Sequence, residues 1–209
     1  MKSIVFVCIS LRAGDTERVI TRLANAMVEK WRVTIITLSD VKPFYSLDPS
    51  VRVLNFRSKE SFSSTFGFYV SLFKYVRVSV QSARPDVVFS FGELINPYIR
   101  ITTALLETQV ILSNRASPIS SLKRLSSALN WLVYPFAKTI VVQTERAAES
   151  LSRRYPFSSF SVIPNPVEIP ENVPDIFQRA RVVVSVGYLG GEKNQAALIR
   201  MFGSVAART

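Results

Sequence analysis

The chain opens with IVFVCI at residues 4–9 and continues, after a short turn, with GDTERV at residues 14–19. The first run is continuous and rich in β-branched residues, as is typical of a strand covered on both faces in a parallel sheet. After Asp15, which we predict to be a helix N-cap, apolar residues recur at helical spacing from Val19 to Val28. This strand, glycine turn and helix predict the first unit of an α/β sheet.

The same alternation continues along the chain. Further strands are predicted at residues 33–38, 51–56, 85–90, 109–113, 139–142 and 160–163. Helical stretches are predicted at residues 66–83, 97–107, 120–136 and 145–154. Because strands that alternate with helices are joined by crossover connections, the sequence predicts a doubly wound, mostly parallel, Rossmann-like α/β sheet.

A change in composition near residue 164 predicts a division of the chain. Four prolines without an apolar period lie between residues 164 and 175 and indicate an extended connector. We therefore predict a Rossmann-like domain over residues 1–163 and a proline-rich linker over residues 164–180. An apolar run, a glycine turn and a helical stretch predict that residues 181–209 are the first strand and helix of a second α/β domain.

Composition limits the chemistry. The 209 residues contain one cysteine and no histidine, which excludes from this chain a disulfide framework, a histidine general base, a Ser-His-Asp triad and the common zinc sites. Cys8 lies in the first predicted strand, and we expect it to be a core residue. A reduced, cytoplasmic location is expected.

The formal net charge of +11 favours an anionic partner, whether phosphate groups, an acidic membrane surface or nucleic acid. The basic residues are scattered and accompany no nucleic-acid-binding motif, so no nucleic-acid partner is expected. The predicted helix at residues 66–83 carries a broad aromatic stripe interrupted by Lys74 and Arg77. Such a helix either packs against the sheet or makes peripheral contact with the inner face of the plasma membrane.

In an open parallel sheet, ligands gather beyond the carboxyl ends of the strands. The turn at Gly14 lies at such a position, before a helix N-terminus whose free N–H groups favour an anion such as phosphate. A purely structural turn is the alternative. The turn lacks the G-x-G-x-x-G pattern, so no nicotinamide or flavin cofactor is expected.

Several segments, taken in order, resemble one family. GDTERV at residues 14–19, with LAN at residues 23–25, is similar to the G-G-x-E-R-V…L-A-N opening of family 4 retaining glycosyltransferases. SFGE at residues 90–93 with NP at 96–97, and SNRASP at residues 113–118, are similar to that family's S-F-G-E-x-x-N-P and S-D-R-S-x-P segments. The resemblance runs from Lys2 to about Ala206.

The resemblance implies a GT-B architecture, in which an acceptor-binding domain and a nucleotide-sugar-binding domain face each other. It implies transfer of a sugar from a nucleotide-sugar donor to a glycan or a lipid-linked acceptor in bacterial surface polysaccharide synthesis, without a metal or other cofactor. The residues that it implies for the donor phosphates are Gly14 and Lys193. The acceptor-side candidates are Arg18, Glu93, Asn96, Asn114 and Arg115.

The family also places a glutamate pair deep in the second domain, and we expect that the 209-residue chain transfers sugar inefficiently without it. The alternative from another functional class is a non-catalytic module that holds a glycan, a lipid-linked sugar or a partner protein.

Overall fold

The structure is a computed structural model that describes residues 1–57, 65–115, 124–167, 182–187 and 194–206. The chain divides into two compact units, residues 1–167 and residues 168–209, and each is described by itself.

The described part of the first unit contains one sheet of seven strands. The strands are β1 (Lys2–Cys8), β2 (Trp31–Thr37), β3 (Arg52–Asn55), β4 (Val87–Phe91), β5 (Gln109–Ser113), β6 (Thr139–Val142) and β7 (Phe160–Val162). The helices are α1 (Asp15–Met27), α2 (Thr65–Ala83), α3 (Asn96–Thr102), α4 (Arg124–Val133) and α5 (Glu145–Arg154), and a 3₁₀ turn covers Tyr134–Phe136. The strand order is β3-β2-β1-β4-β5-β6-β7 and all neighbours are parallel, which confirms the predicted Rossmann-like class.

The strand order creates one point at which the direction of winding reverses. From β1 the chain moves outward to β2 and β3, and then crosses back to place β4 on the other side of β1. The connections that leave the carboxyl ends of β1 and β4 therefore diverge, and a crevice opens between them. In open α/β sheets this crevice is the usual place for a ligand.

The sheet is buried on both faces, which explains the unbroken apolar run of β1. Val5 and Val7 belong to the core on one face, and Ile4, Phe6 and Cys8 to the core on the other. The first face is covered by α2, α3 and α5, and the second by α1. Cys8 is 2% exposed, so its predicted place in the core is confirmed.

Two local predictions are corrected. Gly14 is the N-cap of α1 and Asp15 is its first helical residue, where a carboxylate interacts favourably with the helix dipole. The helix predicted over residues 97–107 ends as α3 at Thr102, because the backbone enters the left-handed region at Leu105 with a φ of 63°. The Arg77 guanidinium donates to the carbonyl oxygens of Thr102 and Ala104 at 2.9 and 3.1 Å. A basic side chain from another helix thereby satisfies carbonyl groups that would otherwise lack a partner.

Helix α2 is buried along only part of its length. Leu72, Val76 and Val80 lie in the core, whereas Phe66 and Tyr69, near its N-terminus, are 78% and 56% exposed. Among the described residues, no helix combines the length and apolarity that crossing a membrane requires.

In the second unit the described residues form one helix, α6 (Gln195–Ala206). The strand predicted over residues 181–186 is not formed in the described stretch 182–187, which is exposed. A strand exists only where a neighbour pairs with its backbone, and no described residue pairs with this stretch. Residues 168–180 of the predicted linker lie outside the described residues, so the domain boundaries stay a prediction.

Candidate functional site

A cavity of about 300 Å³ opens at the carboxyl ends of β1 and β4, in the crevice where the winding reverses. It is lined by Cys8, Ile9, Thr16, Glu17, Phe91, Gly92, Glu93, Leu94, Ile95 and Arg115. The charged lining residues come from three separate elements, namely α1, the β4–α3 turn and the segment after β5. Their meeting follows from the parallel sheet, which brings its carboxyl ends to one edge.

The wall formed by α1 begins directly after the glycine turn. Glu17 folds back over Gly14 so closely that a methyl group on Gly14 would collide with its carboxylate oxygen. The Ser10 hydroxyl also donates to this carboxylate, at 3.4 Å. The space beside the predicted phosphate-binding turn therefore holds a carboxylate of the chain itself, and Gly14 does not line the cavity. The assignment of Gly14 to a donor phosphate stays a prediction.

The opposite wall is the tight turn between β4 and α3. Gly92 has a φ of +125°, which strongly favours glycine, and its carbonyl oxygen accepts bonds from the N–H groups of Ile95 and Asn96 at 3.1 and 3.0 Å. This geometry presents Glu93 to the cavity. The carbonyl oxygen of Glu93 is held from behind by the Asn130 amide group at 3.2 Å.

Two predicted acceptor-side residues lie behind this wall. Asn96 is 0% exposed, and its Nδ2 donates to the carbonyl oxygen of Ser113 at 3.1 Å, which ties α3 to the end of β5. Asn114 is 6% exposed, and its Nδ2 donates to the Tyr134 hydroxyl at 3.3 Å. In this structure both amides hold the wall in place, and their predicted contact with an acceptor is not tested.

Arg115 supplies the positive charge of the cavity. Burial lowers the pKa of its guanidinium, while the carboxylates of Asp15, Glu17 and Glu93 act in the opposite direction. Because arginine stays protonated in proteins, the cavity holds a fixed cation close to the carboxylates of Glu17 and Glu93. Such a site offers acceptors to hydroxyl groups and donors to an anionic group on the same ligand.

The remaining candidates lie elsewhere. Arg18 is exposed, with Nη2 3.9 Å from the Asp15 carboxylate, and it does not line the cavity. Lys193 lies outside the described residues, as does part of the 113–118 motif. The assignments of both residues stay predictions.

The sequence model of the family named Glycosyltransferase Family 4 matches residues 16–170, which is well over half of the chain. The chain belongs to Glycosyltransferase Family 4. A curated relative from Campylobacter jejuni, named as the GalNAc-alpha-(1->4)-GalNAc-alpha-(1->3)-diNAcBac-PP-undecaprenol alpha-1,4-N-acetyl-D-galactosaminyltransferase, is 22% identical over 96% of this chain. The chain covers 56% of that relative.

Solved GT-B glycosyltransferases share the fold of this family member. Sucrose-phosphate synthase from Thermosynechococcus elongatus is 11% identical with a TM-score of 0.61, over 78% of this chain and 48% of that one. Phytolacca americana UGT2, solved with UDP-2-fluoro-glucose and pterostilbene, is 11% identical with a TM-score of 0.57, over 81% of this chain and 55% of that one. The chain thus spans about half the length of each of these three relatives.

Glu17 also lines the cavity, although its place in the GDTERV motif did not suggest a role for it. The available signal was its spacing, because a glutamate three residues after an N-cap occupies the position from which a side chain reaches back over the turn. The described residues of this family member contain no group of three or more His, Cys, Asp or Glu side chains placed to hold a metal ion.

Proposed function

We propose that this protein acts in the transfer of a sugar from a nucleotide-sugar donor to a glycan or lipid-linked acceptor in bacterial surface polysaccharide synthesis, and that its first unit binds the acceptor. The proposal is supported by family membership and by one observation above all. The cavity at the reversal of winding brings Glu17, Glu93 and Arg115 together from three elements.

The chemistry of these side chains favours an acceptor that carries both hydroxyl and phosphate groups. Carboxylates accept hydrogen bonds from sugar hydroxyls, and they fix the orientation of a hydroxyl that attacks a donor sugar. A guanidinium binds phosphate oxygens with two parallel hydrogen bonds. The Campylobacter jejuni relative is named for a sugar chain on undecaprenol diphosphate, and an acceptor of that chemical class fits this combination.

We assign the donor to the second domain of the family's architecture, and we keep Gly14 and Lys193, each by itself, as proposed contacts to its phosphates. A cation at the diphosphate would stabilise the negative charge that develops on the leaving group. In this proposal the transfer uses no metal or other cofactor.

The test measures binding of a soluble short-chain prenyl diphosphate that carries one N-acetylgalactosamine, by isothermal titration calorimetry with the 209-residue protein. We expect Glu17→Gln and Glu93→Gln each to weaken binding about tenfold, because each replaces a charged acceptor by a neutral one. Arg115→Met is expected to weaken binding more. The matched control is Glu107→Gln, which changes an exposed glutamate near the amino ends of the strands. If all variants bind as Glu107→Gln does, the cavity is not the acceptor site.

We further propose peripheral contact with the cytoplasmic face of the plasma membrane through the N-terminal half of α2. Phe66, Tyr69 and Val70 are exposed there, close to Lys74. Because α2 connects the carboxyl end of β3 to the amino end of the parallel strand β4, its N-terminal half lies toward the same edge of the sheet as the cavity. Apolar and basic side chains on one helix surface suit an anionic lipid interface.

The membrane proposal is tested by co-sedimentation with vesicles of phosphatidylglycerol and phosphatidylethanolamine at low salt. We expect the double variant Phe66→Ser/Tyr69→Ser to reduce the fraction of protein bound to vesicles severalfold, since each exchange removes apolar area that would enter the lipid interface. Leu105→Ser is the control, because Leu105 is 98% exposed but lies near the opposite edge of the sheet. Equal binding by the wild type and both variants would refute the assignment.

A further inference from the structure

The connector that follows β7 is fastened across the carboxyl edge of the sheet. Gln143, which follows β6, donates from Nε2 to the Asn165 side-chain oxygen at 3.2 Å. Arg115, which follows β5, donates from Nη2 to the same oxygen at 2.6 Å. Arg22 on α1 donates from Nη1 to the carbonyl oxygen of Pro166 at 3.2 Å. Three elements of the sheet edge thus bind two adjacent connector residues.

One of these three residues also lines the cavity. Arg115 lines the cavity, whereas Arg22 and Gln143 do not. A guanidinium has five N–H donors in a rigid plane, so one edge can bind Asn165 while other donors remain for a ligand. An arginine held at one edge is also oriented before a ligand arrives, which lowers the entropy lost on binding.

We propose that Asn165 is a positioning residue, which fixes the Arg115 guanidinium on the cavity wall and thereby raises the affinity of the cavity for the phosphate groups of its ligand. The inference rests on the proposed function, because that function assigns the phosphate of the acceptor to Arg115. Asn165 is exposed and belongs to the connector, so the conformation of the connector sets the affinity of the site.

The prolines on either side support this role. Pro164 and Pro166 each have a ring-fixed φ, which restricts the backbone around Asn165. The side-chain oxygen is therefore presented by a stiff segment, and its two donors come from the ends of neighbouring strands. Without Asn165, the Arg115 guanidinium would still be attracted by Glu17 and Glu93, which line the other walls of the cavity. This attraction opposes the one that Asn165 exerts.

The experiment measures the affinity of the 209-residue protein for inorganic pyrophosphate by isothermal titration calorimetry at low ionic strength. Asn165→Leu removes the acceptor oxygen at an exposed position and is expected to weaken binding about tenfold, since a free arginine loses rotamer entropy when it is fixed. Arg22→Leu removes a different contact to the connector, the bond to the Pro166 carbonyl oxygen, and is expected to change the affinity less than twofold. The double variant Asn165→Leu/Arg115→Met should bind as Arg115→Met alone, because the two residues act through one another.

A second measurement reports on Arg115 itself. The ¹⁵N relaxation of its Nε–H group, assigned by its absence in Arg115→Lys, should indicate greater mobility in Asn165→Leu but not in Arg22→Leu.

The outcomes separate the two proposals. If Arg115→Met binds pyrophosphate as the wild type does, the assignment of the acceptor phosphate to Arg115 fails, and the inference fails with it. If Arg115→Met loses binding while Asn165→Leu binds equally well or more tightly, the proposed function stands and the positioning role of Asn165 is overturned.

Discussion

The replacement of Asn96 by aspartate tests whether this residue holds the cavity wall from within. Asn96 is 0% exposed, and its Nδ2 donates to the carbonyl oxygen of Ser113 at 3.1 Å. Aspartate has nearly the same shape but no N–H group. At neutral pH a carboxylate oxygen would therefore face the Ser113 carbonyl oxygen inside the core, and the link between α3 and β5 would be lost.

The expected cost has two parts. Loss of the bond and of a partner for a buried carbonyl costs about 1–3 kcal/mol. Burial also raises the pKa of the new carboxyl group, and a rise of about two units adds about 3 kcal/mol at pH 7. The folded-state pKa then exceeds the unfolded-state pKa, so this second part is absent at low pH and grows as the pH rises between the two values. Between pH 7 and pH 4.5 the cost should fall by about 2 kcal/mol.

Urea unfolding of the wild type and Asn96→Asp at several pH values measures this cost. The matched control is Asn25→Asp, because the exposed Asn25 makes the same kind of bond, from Nδ2 to the carbonyl oxygen of Ser46 at 3.0 Å. Solvent screens its charge, so a cost below about 1 kcal/mol with little pH dependence is expected. If Asn96→Asp is as stable as Asn25→Asp, or if its cost does not depend on pH, Asn96 does not hold the wall in the way described.

Two further predictions concern other positions of the first unit. Burial, assisted by the charge of Glu17, raises the pKa of the Cys8 thiol to about 12. Alkylation of the folded protein by iodoacetamide should therefore be very slow at pH 8 and accelerate only as the pH approaches 12. Rapid labelling at pH 8 without unfolding would contradict this. Thr144→Ala should lower the free energy of unfolding in urea by about 1 kcal/mol, because the Ala147 N–H donates to the Thr144 hydroxyl at 3.1 Å at the start of α5. Thr144→Ser should retain most of the stability. Equal stability of the two variants would refute the capping role.

The elements that could be predicted from the sequence are those decided by local pattern. The run at residues 4–9 indicated a strand because both faces of β1 are buried, and α5 begins and ends where its amphipathic pattern predicted. The sheet edge that holds the cavity followed from the parallel topology alone. These predictions depend on periodicity and connectivity, which a single sequence contains.

The features that the sequence could not predict are those that a distant residue decides. The carbonyl groups at the end of α3 are satisfied by Arg77, which comes from α2 and has no local signature in the residues that follow Thr102. Asn96 and Asn114 are buried because helices pack across the sheet. From the sequence alone, a polar residue after a strand can equally be one that contacts a ligand or one that supports the structure from inside. The run at residues 182–186 has strand composition, but composition does not supply the neighbour with which a strand pairs.

The net charge of the chain and the charged side chains of the cavity favour different ligands, and together they explain the proposed choice of ligand. A net charge of +11 attracts anionic groups in general and would favour phosphate, lipid or nucleic acid alike. The cavity, however, sets Glu17 and Glu93 close to Arg115, and its two carboxylates would weaken the binding of a ligand that consisted only of phosphate. A ligand with hydroxyl groups beside its phosphate satisfies all three side chains, because the hydroxyls donate to the carboxylates while the phosphate accepts from the guanidinium. Exchange of both glutamates for glutamine should therefore raise the affinity for free pyrophosphate while it lowers the affinity for the sugar-bearing diphosphate, and this opposite response distinguishes a sugar acceptor site from a general anion site.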